Sequence, residues 1–401
     1  MADKVMKIFL WISFATTFFI GLHFAVYVQF LLSHRLTLAE VALVNMAYML
    51  SVFVLEVPTG AIADIFGRKF SFVLSCVMGA VGFIVYGLST GISGFVAAEI
   101  IIAISTCLKS GAFHAWIVDS LAHYQWQGEL TTVFRREQRY VQPAALIGGL
   151  LGAQLAVFGL FWPFLLGGIG YLIVLVMAVK YMREDYFVRA ENIQWWPNMR
   201  QLASDSIRYG WREPIIFLVL LMAVLLTFGI QPVNMYWQPL FGKFFHGPEA
   251  LGYIWAGVVI FSWSGAEMAA KFTKVFARPQ VGYIVIGIGL SLGIFLVALA
   301  SNNLWLCALG FFWHEIWRGI YRPYNSAILH ARLPSRQRAT VDSFVSMIGT
   351  GAAAVGLLIF GQVADEIGVS GVWLGAAIFL LITPFFLLVP KRCNSKIPNE
   401  I

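Results

Sequence analysis

The chain has 401 residues, of which 60% are hydrophobic and only 12% are charged, and its mean hydropathy is +0.79. Soluble domains carry roughly 25% charged residues, so this composition excludes an ordinary soluble protein and indicates a chain that crosses a membrane several times. The net charge of +7 comes mainly from Lys and Arg in short loops predicted to lie on one side of the membrane. The positive-inside rule explains that asymmetry, and no nucleic acid partner is needed to account for it.

Twelve apolar runs follow one another along the chain, and most are about 20 residues long, enough to cross a bilayer core of roughly 30 Å. The runs lie near residues 8–30, 40–58, 70–89, 93–119, 139–160, 162–182, 214–235, 251–270, 280–300, 304–328, 339–361 and 371–389. The expected fold is an all-α polytopic membrane protein with 12 transmembrane helices in two pseudo-symmetric six-helix bundles. The first run is long enough to span, so we expect it to be retained rather than cleaved as a signal peptide.

The longest polar stretch, residues 183–213, separates the sixth run from the seventh. We interpret it as a cytoplasmic linker between an N-terminal bundle, residues 1–182, and a C-terminal bundle with a short cytoplasmic tail, residues 214–401. The two halves show weak similarity in sequence. Corresponding predicted loops contain Glu137-Gln138-Arg139 and Arg336-Gln337-Arg338, and a glycine-rich run follows each. Such internal similarity is typical of transporter repeats, and the glycines would let neighbouring helices approach closely.

Residues 60–69 read Gly-Ala-Ile-Ala-Asp-Ile-Phe-Gly-Arg-Lys and are predicted to form a short turn between the second and third runs. Arg68 and Lys69 favour the cytoplasmic side for this turn. Gly60 and Gly67 permit close packing or a sharp change of direction, and Asp64 is placed to meet a helix N-terminus or a cation. We expect these residues to form a gate, with Asp64 and Arg68 bonding across the two halves. The further gate candidates are Glu56, Asp119 and Arg338.

The pattern G-x-x-x-D-x-x-G-R-K, at this place in the chain, resembles the motif between the second and third helices of the major facilitator superfamily. Three further segments resemble a bacterial drug- and metabolite-transporter branch: Ser110-Gly111-Ala112 with Asp119-Ser120-Leu121, Arg338-Ala339-Thr340-Val341, and residues 361–368. The resemblance covers nearly the whole chain and implies a transporter. Antiporters of the superfamily often carry G-P-x-x-G-G in helix 5, whereas Pro143 is followed here by Gly148-Gly149. Transport is therefore better supported than export.

Ionisable groups inside spans are costly, so each marks a candidate site. In the tenth run, His314, Glu315, Arg318 and Arg322 are predicted to project from one stripe, with Glu315 and Arg318 one turn apart and able to pair. In the family that the chain resembles, helices 4 and 10 both line the central cavity. The resemblance therefore implies that Lys109 of the fourth run and Arg318 of the tenth run face the same cavity. The predicted substrate-binding residues are Lys109, Arg318, His314, Trp116, Phe311 and Trp317. The predicted proton-coupling residues are Glu315, Glu99 and Asp342. Alternatively, these carboxylates only neutralise Lys109 and Arg318 and hold the halves together.

These features predict a proton-coupled secondary active transporter that moves a small organic solute, amphipathic or anionic, by alternating access. The branch resemblance and the 34 Phe, 14 Trp and 14 Tyr residues favour efflux of drugs or of a metabolite such as a siderophore. The cations Lys109 and Arg318, with the missing helix 5 pattern, favour an alternative, a proton-coupled importer of an organic anion. An alternative of another class is a transporter-like sensor or scaffold.

No Walker A pattern is present, so ATP is not the expected energy source. No metal-ligand cluster or nucleophile–base motif stands out, so we expect neither a cofactor nor an enzyme. The expected partners are the small-molecule substrate, protons and the lipid bilayer, with the chain acting as a monomer because it carries both halves. We expect a multi-pass protein of the bacterial inner membrane with both termini in the cytoplasm.

Overall fold

The computed structural model describes residues 1–187, 213–333 and 335–388, with the backbone alone for residues 57, 61, 335–340, 343 and 386–388. Over these ranges the regular structure consists of helices, which confirms the all-α class. The α-helices are α1 Ala2–Phe24, α2 Tyr27–Ser33, α3 Leu38–Phe66, α4 Arg68–Leu88, α5 Ile92–His123, α6 Leu130–Leu155, α7 Trp162–Tyr181, α8 Pro214–Gly242, α9 Glu249–Val275, α10 Pro279–Leu299, α11 Leu304–His330 and α12 Ser335–Ile382. Short 3-10 helices follow α6, Ala156–Phe158, and α12, Thr383–Leu388.

Over the described ranges, the predicted apolar runs lie on helices, although α6 begins well before its run and α3 continues well beyond its run. The first run is shared by α1 and α2, and the last two both fall on α12, which is interrupted at Gly368 with a φ of 74°. Among the described residues, nine segments are long and apolar enough to cross a membrane. The helices α9 and α11 are not among those segments, and Phe344–Phe385 counts as one. The number of 12 transmembrane helices therefore stays a prediction.

The chain folds into two compact units. The first comprises Met1–Leu36, Ala47–Trp195 and Phe245–Ala256, and the second comprises Thr37–Met46, Trp196–Phe244 and Gly257–Ile401. In the first unit, α4 packs against α5 and α7, and α1 packs against α6 and α7. In the second unit, α12 packs against α8 and α10, and α10 packs against α11.

The domain boundaries derived from the sequence, at residues 1–182, 183–213 and 214–401, stay a prediction. Most of the predicted linker, residues 188–212, and the end of the predicted tail, residues 389–401, lie outside the described residues.

The turn predicted over residues 60–69 is much shorter in the structure. Helix α3 continues to Phe66 and α4 begins at Arg68, so Gly67 alone reverses the chain, with a φ of 100°. A residue with a side chain rarely adopts this conformation. The backbone nitrogens of Arg68 and Lys69 donate to the two carboxylate oxygens of Glu184, at 2.6 and 2.9 Å. The carboxylate at this helix N-terminus, which stabilises unsatisfied donors, is therefore Glu184 and not Asp64.

Helix α6 begins well before the apolar run that predicted it. The segment Glu137-Gln138-Arg139, expected in a loop, lies in the second and third turns of α6, and residues 336–338 similarly lie in α12. The start of α6 is amphipathic, because Val133 and Glu137 are buried while Arg135 and Arg136 are exposed. Residues four apart on one face of the helix are thus buried, while residues on the opposite face are exposed. Hydropathy averaged over a window of residues does not detect this pattern.

The glycine-rich part of α6 packs directly on the backbone of α1. A Cβ atom added to Gly148 would lie 2.5 Å from the carbonyl oxygen of Phe18, and one added to Gly152 would overlap the carbonyl group of Leu22. Small residues permit such close helix approach. The packing interpretation of this glycine cluster is confirmed.

Several helices contain a proline in their interior. These residues are Pro58 in α3, Pro143 in α6, Pro232 and Pro239 in α8, and Pro323 in α11. A proline has no N–H group and so leaves the carbonyl oxygen four residues earlier without its helical hydrogen bond. In α6 that carbonyl belongs to Arg139, and in α11 to Gly319.

We predict that Gly152→Ala lowers the thermal stability of the purified protein, because the new methyl group meets the α1 backbone, which cannot move aside as a flexible side chain does. Overpacking of this kind costs about 1–3 kcal/mol. Gly375→Ala in α12 is the matched control, since a Cβ there meets nothing within 4 Å. Equal melting temperatures for the two variants in detergent would contradict the close packing of α1 and α6.

We predict that Glu184→Ala also lowers the melting temperature, by removing the acceptor for two backbone donors of α4. Loss of a helix N-terminal cap costs about 1 kcal/mol. The neighbouring Asp185 is exposed, so Asp185→Ala makes the same change of charge without removing the cap and should leave the melting temperature close to that of the unmodified protein. A larger loss in Asp185→Ala than in Glu184→Ala would show that the cap is not the stabilising contact.

Candidate functional site

A cluster of charged side chains lies at the α3–α4 turn of the first unit. We call Asp64, Arg68, Asp119 and Glu184 the turn cluster. The Arg68 guanidinium pairs with Asp64 of α3 at 2.6 Å and lies 3.7 Å from Asp119 at the end of α5. Arg68 of α4 therefore contacts both α3 and α5. The bonding of Asp64 and Arg68 across the two halves, expected from the sequence, stays a prediction, because both of these contacts lie within the first unit.

A cavity of about 420 Å³ opens beside the turn cluster. It is lined by Ala63, Asp64, Arg68, Asp119, Ala122, His123, Glu184, Tyr186 and Phe187. Its three carboxylates outnumber its single guanidinium, but Asp64 is paired with Arg68 and Glu184 accepts from the α4 backbone. Burial raises the pKa of Tyr186 to about 12, so this side chain is a neutral hydroxyl group at physiological pH.

The predicted substrate contact Trp116 is a structural residue of the same region. Its side chain is fully buried, and its indole nitrogen donates to the carbonyl oxygen of Arg183 at 2.8 Å. The Tyr186 hydroxyl donates to the Trp116 carbonyl at 3.2 Å and lies 3.2 Å from the Ser120 hydroxyl. Trp116 therefore fixes the chain that leaves α7 and carries Glu184 to the α4 N-terminus.

The remaining gate candidates contact the turn region in different ways. The Lys69 ammonium donates to the carbonyl oxygen of Val179 in α7 at 3.0 Å. Gly60 lies inside α3, and a Cβ at Gly111 of α5 would be 3.6 Å from its Cα, so α3 and α5 pass close together there. Glu56 is partly exposed and has no side-chain hydrogen bond or ion pair among the described residues. The side chain of Arg338 lies outside the described part of the chain.

In the second unit, α11 carries a buried ion pair. Glu315 is only 2% exposed and accepts from the Nε atom of Arg318 at 2.7 Å and from its Nη2 atom in a second, short hydrogen bond. Arg318 keeps 28% of its side chain exposed. The pairing expected from their one-turn spacing is confirmed. Both donors bind the same carboxylate oxygen, Oε2, and the cation that supplies them is still partly exposed.

The other predicted substrate contacts of α11 are oriented away from this pair or are buried among aromatic rings. His314 is fully buried, with its Nδ1 atom 3.5 Å from the Leu290 carbonyl of α10 and its Nε2 atom without a hydrogen bond among the described residues. Phe311 is 1% exposed and packs against Trp237, Phe241 and Trp373. Trp317 packs on Gly289 and Phe272.

Arg322 continues the stripe of Glu315 and Arg318 and is exposed. Asp342, a predicted proton-coupling residue, pairs with His330 at 2.6 Å, and both side chains are about 40% exposed. This pair joins the end of α11 to the start of α12, so Asp342 does not neutralise Arg318 in the structure.

The fourth predicted span, α5, carries Glu99 and Lys109 in different surroundings. Glu99 is 5% exposed and accepts from the Tyr27 hydroxyl of α2 at 2.7 Å. Lys109 is partly buried, and the carboxylate whose charge acts on it is Glu137 of α6. Glu99 is therefore not the carboxylate that compensates Lys109. Lys109 and Arg318 lie in different units, and the cavity predicted to join them stays a prediction.

The sequence analysis missed Glu137 as a candidate site. Its carboxylate is 7% exposed and accepts from the Ser13 hydroxyl of α1 at 2.9 Å. The Nε2 atom of His114 in α5 lies 3.1 and 3.2 Å from its two oxygens. The only sequence signal was four-residue spacing with the apolar Val133, which marks Glu137 as an inward-facing residue of an early helix turn.

The chain is similar to known proteins over nearly its whole length. It matches the family model described as transmembrane secretion effector over residues 3–397. A relative from Bacillus subtilis (strain 168), the uncharacterized MFS-type transporter YxaM, is 21% identical over 402 residues that cover 99% of this chain and 98% of the relative.

Two solved structures show the same fold. The nucleoside transporter NupG aligns with a TM-score of 0.77 at 14% identity, covering 96% of this chain and 98% of NupG. A bacterial homologue of the human lysosomal transporter Spinster, in an inward-facing and occupied conformation, aligns with a TM-score of 0.76 at 15% identity, covering 98% and 97%. The nearly complete match to the family model shows that this chain belongs to the transmembrane secretion effector family of the major facilitator superfamily, and that it is a multi-pass membrane transporter and not an enzyme.

Proposed function

We propose that the protein is a proton-coupled secondary active transporter that exports a small amphipathic organic solute, a drug or a secreted metabolite such as a siderophore, by alternating access. Its membrane is the bacterial inner membrane, with both termini on the cytoplasmic side, and the working unit is a monomer. The family's description, transmembrane secretion effector, supports the outward direction. No part of the chain has a Walker A pattern, which supports an ion gradient as the energy source.

The observation that carries the proposal is the Glu315–Arg318 pair in α11. A carboxylate that is 2% exposed inside an apolar bundle is costly unless it is paired, and truncating one partner leaves an uncompensated charge. Protonation removes the negative charge without removing the side chain. Glu315 can therefore switch between holding Arg318 and releasing it, and the switch is operated by a proton.

The exposed part of Arg318 allows the solute to contact this ion pair. When Glu315 is ionised it occupies the guanidinium, and when it is protonated the guanidinium is free to bind an anionic group of the solute. A cationic solute competes with the proton for the Glu315 carboxylate itself. Solute and proton then bind alternately, which gives antiport. Glu99, held by the Tyr27 hydroxyl, and Asp342, held by His330, are the other carboxylates that the sequence nominates for proton coupling.

A second candidate function is import of an organic anion together with a proton. It is favoured by Arg318 and the exposed Arg322, which present two cations along one stripe of α11. Proton flux in liposomes separates the candidates, with a pH-sensitive dye in the lumen and organic acids, amphipathic cations and siderophore-like chelators added in turn. Protons that enter with an anion support import, and protons that leave as a compound enters support antiport. Solute binding without any flux would support a sensor or scaffold instead.

We predict that Glu315→Gln abolishes the dependence of transport on the pH gradient, because the amide cannot take up a proton and no longer holds Arg318 as an ion pair. The measurement is solute-driven proton flux in proteoliposomes over a range of pH. Glu267→Gln is the matched control, since Glu267 is an exposed residue of α9 bonded to Trp263 one turn away. Unchanged pH-dependent flux in Glu315→Gln would exclude Glu315 as the coupling residue.

A buried pair that loses one partner also destabilises the fold, so the melting temperature of Glu315→Gln is measured beside its flux. The double variant Glu315→Gln with Arg318→Gln leaves no unpaired charge. If the double variant folds and also lacks coupling, then the loss belongs to the proton switch and not to a damaged bundle.

We predict that Asp64→Asn shifts the transporter toward the conformation open to the cytoplasm, because it weakens the hold on Arg68 and leaves Asp119 as its charged partner among the residues that the structure describes. The test is the reaction of Ser110→Cys, an exposed position in α5, with a membrane-impermeant maleimide applied from the cytoplasmic side. Glu129→Gln, a similar change at an exposed residue outside the turn cluster, is the control. Equal labelling rates in the two variants would argue against a gate at Asp64.

A further inference from the structure

The sequence pattern of the α3–α4 turn occurs a second time, in a part of the chain that the proposed function does not use. Residues 60–67 and residues 361–368 both read G-x-x-A-D-x-x-G. In both copies the last glycine has a positive φ, 100° at Gly67 and 74° at Gly368. The second copy is followed by Val-Ser in place of Arg-Lys, so its aspartate, Asp365, has no cation directly after it.

Asp365 binds the first turn of α3 instead. One of its carboxylate oxygens accepts from the backbone nitrogen of Leu38 at 2.9 Å, and the other accepts from that of Ala39 at 3.2 Å. The first backbone nitrogens of a helix have no acceptor within the helix, and a negative charge is favoured beside them. Asp365 is exposed, so water can replace it at these donors. The contact can therefore break and re-form without leaving a buried polar group unpaired.

Two further contacts hold the start of α3. A Cβ atom added to Gly361 of α12 would lie 2.6 Å from the Cβ atom of Ala42, so α12 and α3 approach each other closely there. The buried Tyr236 of α8 donates its hydroxyl to the carbonyl oxygen of Leu38 at 3.3 Å. Together with the aspartate, these contacts fasten Thr37–Met46 to α12 and α8, and all of these residues belong to the second unit.

Helix α3 does not end with the second unit. The division between the two compact units falls between Met46 and Ala47, inside this continuous helix. The first proline and the first glycine of α3 are Pro58 and Gly60, and sharp helix bends need an interruption of that kind. A movement of one unit relative to the other must therefore bend a regular stretch of helix or release Thr37–Met46 from α12 and α8, and release is the easier change.

We propose that Asp365, Gly361 and the first turn of α3 form a latch that opens and closes once in each transport cycle, and that the latch is closed in this structure. The segment Leu38–Glu56 is long and apolar enough to cross the membrane, so the latch lies on the opposite side from the turn cluster. With the turn cluster in the cytoplasm, the latch is the outer one. The inference rests on the proposed function for this role in alternating access, whereas the contacts stand on the geometry of the second unit.

Hydrogen–deuterium exchange of the purified full-length protein in lipid measures how often the latch opens. Asp365→Asn keeps the size of the side chain but removes its charge and one acceptor oxygen. We expect exchange at Leu38 and Ala39 to become about fivefold faster, the effect of losing a helix N-terminal cap. Glu366→Gln is the matched control, because Glu366 is exposed and makes no hydrogen bond or ion pair with the described residues. Equal exchange in the two variants would overturn the latch.

A second variant tests the packing without changing any polar group. Gly361→Ala pushes α12 away from α3 and should raise exchange over Thr37–Met46. Gly375→Ala in the same helix, where a Cβ atom meets nothing within 4 Å, should leave that exchange unchanged. If Asp365→Asn does not fold, equal exchange in these two alanine variants overturns the proposal by itself.

Locking the latch separates this inference from the proposed function. Ala42→Cys combined with Gly361→Cys brings two thiols within reach of each other across the latch. We expect oxidation to stop solute-driven proton flux in proteoliposomes and a reductant to restore it, with the single variant Ala42→Cys as the control for the native cysteines. Flux that continues in the cross-linked protein would mean that transport stands and the latch does not. Faster exchange in Asp365→Asn, without flux in the unmodified protein, would mean that the latch exists and the proposed function fails.

Discussion

A charged group inside an apolar helix bundle must find its partner within reach of its own side chain, and much of this structure follows from that constraint. Glu99 is held by a tyrosine, Glu137 by a serine and a histidine, and Glu315 by an arginine, and each carboxylate is 7% exposed or less. Each partner comes from a fixed helix position, so the bonds also fix how the helices are rotated. The polar residues proposed to serve transport are in this way also residues that define the packing.

The sequence predicted contacts whose geometry is local and missed those that depend on tertiary pairing. The pair of Arg318 with Glu315 was expected from the spacing of one helical turn. Arg68 pairs with Asp64 at a similar spacing, although the sequence analysis expected these two residues to bond across the two halves. Ser13 and Glu137 are 124 residues apart, and Glu184 is 116 residues from the nitrogen it accepts from, so no spacing rule relates them. Hydropathy located the helices but not their ends, because the first turns of α6 and the last turns of α3 carry polar residues on one face only.

The motif at the α3–α4 turn also combines a local feature that the sequence predicted with a tertiary contact that it did not predict. Its glycine was correctly expected to reverse the chain, since a positive φ requires such a residue. The carboxylate that caps the new helix came from the segment after α7, which sequence analysis treated as the start of a linker. The turn is therefore stabilised by residues at both of its ends and by a third segment, and a motif defined by contiguous residues describes only part of it.

The interior prolines have a mechanical consequence. Pro143 leaves the Arg139 carbonyl without its helical hydrogen bond, two residues beyond Glu137, and Pro323 does the same to Gly319, next to Arg318. A helix bends most easily where its hydrogen-bond ladder is interrupted. In both units the weakest point of a long helix thus adjoins a buried carboxylate pair, so a small bend there turns the charged side chains through an angle while the rest of the helix stays straight.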